Sequence, residues 1–175
     1  MAFDYFAYAS NMAPDVIRRL CPRHSYLGVA QLADHRLAFT RRSVKTGTGV
    51  ADIVQAAGQM VWGVLYRIDD DELAAIDRKE GHDWAYKRVM LPVRLEGGPE
   101  RTAVTYTVRS KEATQIPPSR RYLGLVIAAA HERGLPNPYI EQIEAIRVAD
   151  SLLKGPAPDS PAPQRRQPNA PPIFP

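Results

Sequence analysis

The sequence is poor in the features that specialised classes of protein require. Its 175 residues include a single cysteine, Cys21, so no disulfide can form within the chain, and we expect a reducing, cytoplasmic location. No run approaches the roughly 18 consecutive apolar residues that cross a bilayer. No basic region followed by an apolar core stands at the N-terminus. We therefore expect neither membrane association nor a signal peptide.

Several catalytic and binding motifs are also missing. The four histidines have no metal-ligand spacing, and the loop over 46–49 lacks the Gly-Lys-Ser/Thr ending of a phosphate loop. A Gly-x-Ser-x-Gly elbow is absent. The net charge of +4 comes from scattered arginines that form no basic stripe. We therefore expect no metal site and no nucleic-acid partner, and we interpret Cys21 as a small buried residue rather than a nucleophile.

Apolar spacing and turn residues predict an α+β fold rather than regular βαβ alternation. We expect one domain over residues 1–154 and a Pro-rich, disordered tail over 155–175, because the tail has few residues able to form a core. Strands are predicted over 3–8, 26–40 (one long or two short), 50–54, 60–66, 85–95 and 101–108. Helices are predicted from Pro14 to Leu20, from the acidic run at 69–72 to Gly81, and over 120–133 and 138–148.

The first candidate site is the turn between the first strand and the first helix, residues 5–12. Chain that leaves a strand and enters a helix presents backbone N–H groups without internal partners, and these can bind a carboxylate or an oxyanion. Ser10 and Asn11 add short polar groups that can orient a ligand. The simpler interpretation is that one of these two side chains only caps the helix.

The second candidate is Glu80, which precedes Gly81 at a predicted helix end and is followed by aromatic residues. A carboxylate packed against aromatic rings is suited to proton transfer. The simpler interpretation is an exposed glutamate that pairs with Lys79 or Lys87. Spacing alone favours the simpler interpretation for both candidates.

An ordered series of motifs changes this balance. The segment Tyr5-Phe6-Ala7-Tyr8-Ala9-Ser10-Asn11-Met12 resembles the Y-F-A-Y-G-S-N-[LM] motif of the γ-glutamylcyclotransferase family, also described as AIG2-like or BtrG-like. Further matches follow in the family's order over about residues 4–148. They are the strands beginning at Gly49 and Val61, the helix end at Glu80-Gly81, the segment Pro118–Tyr122 and the helix from Gly134 to Ile146.

The resemblance implies a small mixed β-barrel flanked by helices, with no metal or organic cofactor. It implies that Glu80 is the proton acceptor and donor, and that a small γ-glutamyl substrate is bound by Tyr5, Phe6, Ala7, Tyr8, Ala9, Ser10, Asn11 and Tyr122. Met12 and Tyr86 are added to the expected pocket wall. The implied reaction releases 5-oxoproline from a γ-glutamyl amino acid or amine, which would place the enzyme in glutathione metabolism.

One departure from the family pattern is Ala9, which stands where glycine is usual. If the backbone there required a positive φ, alanine would be strained, and its Cβ could narrow the pocket. Two alternatives stay open. One is a related enzyme that removes γ-glutamyl groups from an amine-bearing metabolite or a protein-derived adduct, and the other, suggested by Ala9, is a non-catalytic module that binds γ-glutamyl metabolites. The sequence leaves a homodimer open as well.

Overall fold

Five strands form a closed barrel in the computed structural model, which describes residues 1–149. The strands are β1 (Ala2–Ala7), β2 (Ser25–Arg42), β3 (Gly49–Asp69), β4 (Tyr86–Leu95) and β5 (Glu100–Val108). Their order around the barrel is β1-β3-β2-β4-β5. All neighbouring pairs are antiparallel except β1 and β5, which pair in parallel at Tyr5 and Val104. The predicted α+β class and barrel are confirmed.

Four helices flank the barrel: α1 (Pro14–Leu20), α2 (Asp70–Glu80), α3 (Arg120–Glu132) and α4 (Asn137–Glu144). A short 3-10 helix over Ser10–Met12 joins β1 to α1. The prediction extended the last helix to residue 148, whereas α4 ends at Glu144. Within residues 1–149, no helix combines the length and the apolar character that a bilayer crossing needs. The predicted tail over 155–175 lies outside the described residues, as do residues 150–154 of the predicted domain.

The prediction of separate strands over 50–54 and 60–66 is wrong, because β3 is continuous from Gly49 to Asp69. Its first half pairs with the end of β2 and its second half pairs with both β1 and β2. The register shifts between Ala33 and His35, where Asp34 adopts a left-handed backbone and its carboxylate accepts from the N–H of Gly58. This irregularity breaks the apolar pattern, so one strand looks like two in the sequence.

Helix α2 is defined at both ends by local contacts. Asp69 accepts from the backbone N–H of Glu72, and the Glu72 carboxylate accepts in return from the N–H of Asp69, which is a capping box. At the other end Gly81 adopts φ +62°, the left-handed conformation that favours glycine. Glu80 is therefore the last residue of α2, immediately before a sharply defined turn.

Candidate active site

A small cavity, partly open to solvent, lies where the chain leaves β1 and α2 ends. Tyrosines dominate its wall. The lining residues are Tyr5, Tyr8, Ala9, Ser10, Asn11, Ala51, Glu80, Tyr86, Tyr106 and Tyr122. Glu80 is the one carboxylate among them. The two candidate sites predicted from sequence thus form a single cavity in the described part of the chain.

Asn11 connects the segment after β1 to the carboxylate at the end of α2. Its amide nitrogen donates to the Tyr5 hydroxyl at 2.7 Å and to Oε1 of Glu80 at 3.0 Å. Both N–H groups of the amide are therefore used, and the amide plane is fixed by two partners. The carbonyl oxygen Oδ1 of Asn11 is buried and receives no hydrogen bond from the described residues.

Glu80 is neither fully buried nor an ordinary surface glutamate. Its side chain is 17% exposed, and Lys79 donates to the same Oε1 at 3.0 Å. The simpler interpretation therefore named a real partner, Lys79, but the carboxylate also lines a cavity. The other oxygen, Oε2, has no hydrogen bond within residues 1–149, so one carboxylate oxygen is held and the other is available.

The phenols of the cavity wall are neutral at neutral pH. Burial raises the pKa of Tyr5, Tyr8 and Tyr86, and it raises the pKa of Tyr106 and of Tyr122 to about 12. The negative charge of Glu80 adds to the effect at each of them. These side chains can therefore act as O–H donors.

Two of these tyrosines are fixed by the backbone of Ala51 on β3. The Tyr86 hydroxyl donates to the carbonyl of Ala51 at 2.8 Å, and the Tyr122 hydroxyl accepts from its N–H at 3.3 Å. Tyr122 is presented by the first turn of α3, where the Ser119 hydroxyl accepts from the backbone N–H of Tyr122. Strand β3 and helix α3 thus position one wall of the cavity.

The structure brings most of the predicted site residues to the cavity, but not Phe6, Ala7 or Met12. Successive side chains of a strand point to opposite faces, so Phe6 lies on the other face from Tyr5, where its ring packs beside Gly63. Ala7 and Met12 are buried outside the cavity lining. The Met12 carbonyl instead accepts from Tyr66 and from Arg133.

Sequence reasoning missed Tyr106 and treated Ala51 only as part of a strand. Tyr106 lies on β5, and its hydroxyl donates to Asp77 on α2 at 2.6 Å. Nothing in the local pattern distinguishes such a tyrosine from any other strand aromatic. Ala51 contributes through its backbone groups, which leave no residue-type signal.

The Tyr5–Met12 segment does not behave as a helix cap. Neither Ser10 nor Asn11 caps the 3-10 helix or α1 through its side chain. The N–H of Met12 already donates to the carbonyl of Ala9 at 2.9 Å, so that amide is not available to a ligand. Ala9 has φ −139°, so the position does not require a left-handed backbone.

A reactive cysteine and a metal centre are two further kinds of site that the described residues can be checked for. Burial raises the pKa of the Cys21 thiol to about 12, so the reactive thiolate is disfavoured. No group of three or more His, Cys, Asp or Glu side chains within residues 1–149 is arranged to hold a metal ion.

The closed five-stranded barrel and its tyrosine-lined cavity can be compared with known proteins, which place the chain among the AIG2-like proteins. The model of the AIG2-like family matches residues 60–143. A solved structure of a γ-glutamyl cyclotransferase superposes with a TM-score of 0.80 at 31% identity, covering 87% of this chain and 92% of the other.

Curated relatives narrow the class further. The human γ-glutamylcyclotransferase is 33% identical over 154 residues, which cover 85% of this chain and 81% of the human protein. The mouse γ-glutamylcyclotransferase is 33% identical over 149 residues, covering 82% and 78%. The chain belongs to the γ-glutamylcyclotransferase family.

Proposed function

We propose that this cavity converts a γ-glutamyl amino acid or γ-glutamyl amine into 5-oxoproline and the freed amino acid or amine. The observation that carries the proposal is the position of Glu80, the one carboxylate in a cavity lined by neutral tyrosines, held by Asn11. Membership of the γ-glutamylcyclotransferase family supports the same chemistry.

The reaction is an intramolecular acyl transfer. The α-amine of the γ-glutamyl group attacks its own γ-carbonyl carbon, and a five-membered ring closes as the C–N bond to the leaving amine breaks. Because both reacting groups belong to one molecule, holding that molecule folded removes much of the entropic cost. The attacking nitrogen loses a proton and the leaving nitrogen gains one, so atoms and charge balance without a cofactor.

Glu80 can perform both proton transfers in turn. Oε1 is fixed by Asn11 and Lys79, which leaves Oε2 to accept the proton from the attacking amine and return it to the leaving amine. A positioned general acid/base contributes about 10²–10⁴-fold to rate. Asn11 acts here through its amide nitrogen, which holds the Glu80 carboxylate in place.

Two phenols can stabilise the oxyanion that forms on the γ-carbonyl or bind the α-carboxylate. The hydroxyls of Tyr5 and Tyr122 each accept a hydrogen bond from the protein, and the described residues take none from them in return. Each therefore retains an O–H to donate into the cavity. This assigns to side chains a role that the sequence suggested for backbone N–H groups.

We further propose that the protein acts on small molecules in the cytoplasm and contributes to the metabolism of glutathione and related γ-glutamyl peptides. The single cysteine, its buried and neutral thiol, and the small cavity support this. Independence from nucleic acid stays a prediction from the sequence, which also leaves a homodimer open.

The test is a panel of γ-glutamyl dipeptides and γ-glutamyl amines, with released 5-oxoproline measured by chromatography. We expect release from at least one member at a rate proportional to enzyme concentration. Absence of 5-oxoproline from the whole panel, with protein shown to be folded by circular dichroism, would reject the proposed activity. Calorimetric binding without turnover would instead indicate the non-catalytic module.

A further inference from the structure

Lys79 contacts both halves of the cavity, although it does not line the cavity wall. Its ammonium nitrogen lies 3.0 Å from Oε1 of Glu80 and 3.5 Å from the hydroxyl oxygen of Ser10. Its side chain is 33% exposed, against 17% for Glu80. Lys79 is therefore the more exposed member of the pair, and it lies beside the cavity lining.

The ammonium group has a hydrogen-bond donor to spare. It carries three N–H groups, of which Glu80 takes one and the long contact to Ser10 takes a second. The third has no acceptor among residues 1–149. No lysine or arginine is among the residues that line the cavity, so Lys79 supplies positive charge beside Glu80 where the wall is otherwise neutral.

The leaving group is the part of the substrate that Lys79 can reach. In the proposed reaction the leaving nitrogen must lie within hydrogen-bond distance of Glu80. Lys79 is itself hydrogen-bonded to Glu80. When the leaving group is an amino acid, a carboxylate is attached two bonds from that nitrogen. When it is a simple amine, no charge is present there. A substrate bound with its leaving nitrogen beside Glu80 therefore places this carboxylate close to Lys79.

We infer that Lys79 binds the carboxylate of the leaving amino acid and makes the site prefer γ-glutamyl amino acids over γ-glutamyl amines. The inference rests on the proposed function and assigns a specificity-determining residue to it. The competing role for Lys79 is a contact with the α-carboxylate of the γ-glutamyl group. That carboxylate is present in every substrate, so such a contact would not discriminate between leaving groups.

The test uses γ-glutamylalanine and γ-glutamylethylamine, whose leaving groups differ only by the carboxylate. The measured quantity is the ratio of kcat/KM for the first substrate to that for the second. We expect Lys79→Gln to lower this ratio about tenfold, as loss of a hydrogen bond to a charged group does, chiefly through a higher KM for γ-glutamylalanine.

Two further variants separate the carboxylate contact from other effects of the substitution. Lys79→Arg keeps the charge and should retain most of the wild-type ratio. Arg78→Gln is the matched control, because it makes the same charge change at the preceding, exposed residue of α2, and its ratio should equal that of the wild type. An unchanged ratio in Lys79→Gln, whether both substrates slow equally or neither does, would overturn the inference.

Failure of the proposed function is recognised separately. If the wild type releases 5-oxoproline from no member of the panel, that function is rejected, and γ-glutamylalanine and γ-glutamylethylamine are titrated into the protein by calorimetry. Lys79→Gln must then lower the ratio of the two association constants, and an unchanged ratio rejects the inference on binding alone.

Discussion

At the scale of single residues, the cavity depends on one amide that joins two distant parts of the chain. Asn11 and Glu80 are 69 residues apart in sequence, yet the amide nitrogen of Asn11 lies 3.0 Å from the carboxylate and also holds the Tyr5 hydroxyl. An amide can donate to a phenol oxygen and to a carboxylate at once. An aspartate at this position would place a second negative charge beside Glu80.

The first prediction concerns Glu80. Glu80→Gln keeps the size of the side chain and removes its ability to exchange a proton, so kcat should fall by about 10²–10⁴-fold. The measurement is the initial rate of 5-oxoproline release, with thermal unfolding to show that the fold is kept. Asp83→Asn is the matched control, since Asp83 is exposed and outside the cavity lining. Turnover by Glu80→Gln within a few-fold of the wild type would end the assignment of Glu80 as acid/base.

Ala9 stands where the family pattern usually has glycine, and the structure gives its backbone conformation and its position relative to the cavity. One concern was a positive φ, but φ is −139°, outside the left-handed region. Ala9 is one of the residues that line the cavity, beside Ser10 and Asn11. The departure from the family pattern therefore concerns the shape of the pocket, which is the second possibility that the sequence raised, and the non-catalytic module stays an alternative.

At the scale of secondary-structure elements, α2 is the element that delivers Glu80. Its capping box fixes the first turn and Gly81 fixes the last, so the carboxylate is presented from a helix with two defined ends. After Gly81 the chain turns tightly, and the exposed ring of Trp84 packs over the glycine. A Cβ at Gly81 would lie 2.6 Å from that ring, so the turn tolerates no side chain without movement.

The second prediction concerns Gly81→Ala. The left-handed backbone costs about 1–2 kcal/mol for a non-glycine residue, and the contact with Trp84 adds to this, so urea unfolding should show a loss of at least about 1 kcal/mol. Because Glu80 is adjacent, kcat should fall as well. Gly124→Ala is the contrasting control: a Cβ there meets nothing within 4 Å inside α3, and helix propensity predicts a gain of about 0.5–1 kcal/mol. Equal stability of the two variants would contradict this account of the turn.

At the scale of the whole molecule, Asp52 links the paired end of β2 and start of β3, which we call the β2–β3 arm, to strand β5. It is fully buried and accepts hydrogen bonds from Thr40 on β2, from Thr107 and the N–H of Val108 on β5, and from Lys111 beyond that strand. Strands β3 and β5 are not neighbours in the barrel, so this carboxylate supplies a connection that the sheet does not. The backbone of the preceding residue, Ala51, forms hydrogen bonds with the hydroxyls of Tyr86 and Tyr122 in the cavity wall.

The third prediction concerns Asp52→Ala. Removing one member of a buried, charged network leaves its partners unsatisfied, and the free energy of unfolding should fall by about 3–5 kcal/mol. Chemical denaturation measures this. The matched control is Asp15→Ala, whose carboxylate forms an exposed i,i+3 pair with Arg18 and should contribute less than about 1 kcal/mol. If Asp52→Ala lowered the free energy of unfolding no more than Asp15→Ala does, the hydrogen bonds of Asp52 would not stabilise the β2–β3 arm.

The predictions made from local pattern were the most successful for elements whose ends are set by their own residues. Helix α2 was bounded correctly because Asp69, Glu72 and Gly81 act on the backbone within a few residues of themselves. Strand β3 was divided wrongly because its continuity depends on pairing with β1 and β2, and the irregularity opposite Asp34 hides that pairing. Local propensity carries no information about a partner strand.

The sequence by itself determined the α+β class and, through motifs in a fixed order, membership of the γ-glutamylcyclotransferase family. Only the tertiary structure decided which residues share the cavity. It brought Asn11 to Glu80, added Tyr106 and the backbone of Ala51, and turned Phe6 away. The physical reason is closure of the barrel, because which face of a strand reaches a cavity depends on contacts between residues tens of positions apart. Lys79, which the sequence offered only as an ordinary surface partner of Glu80, gained its proposed role from the same closure.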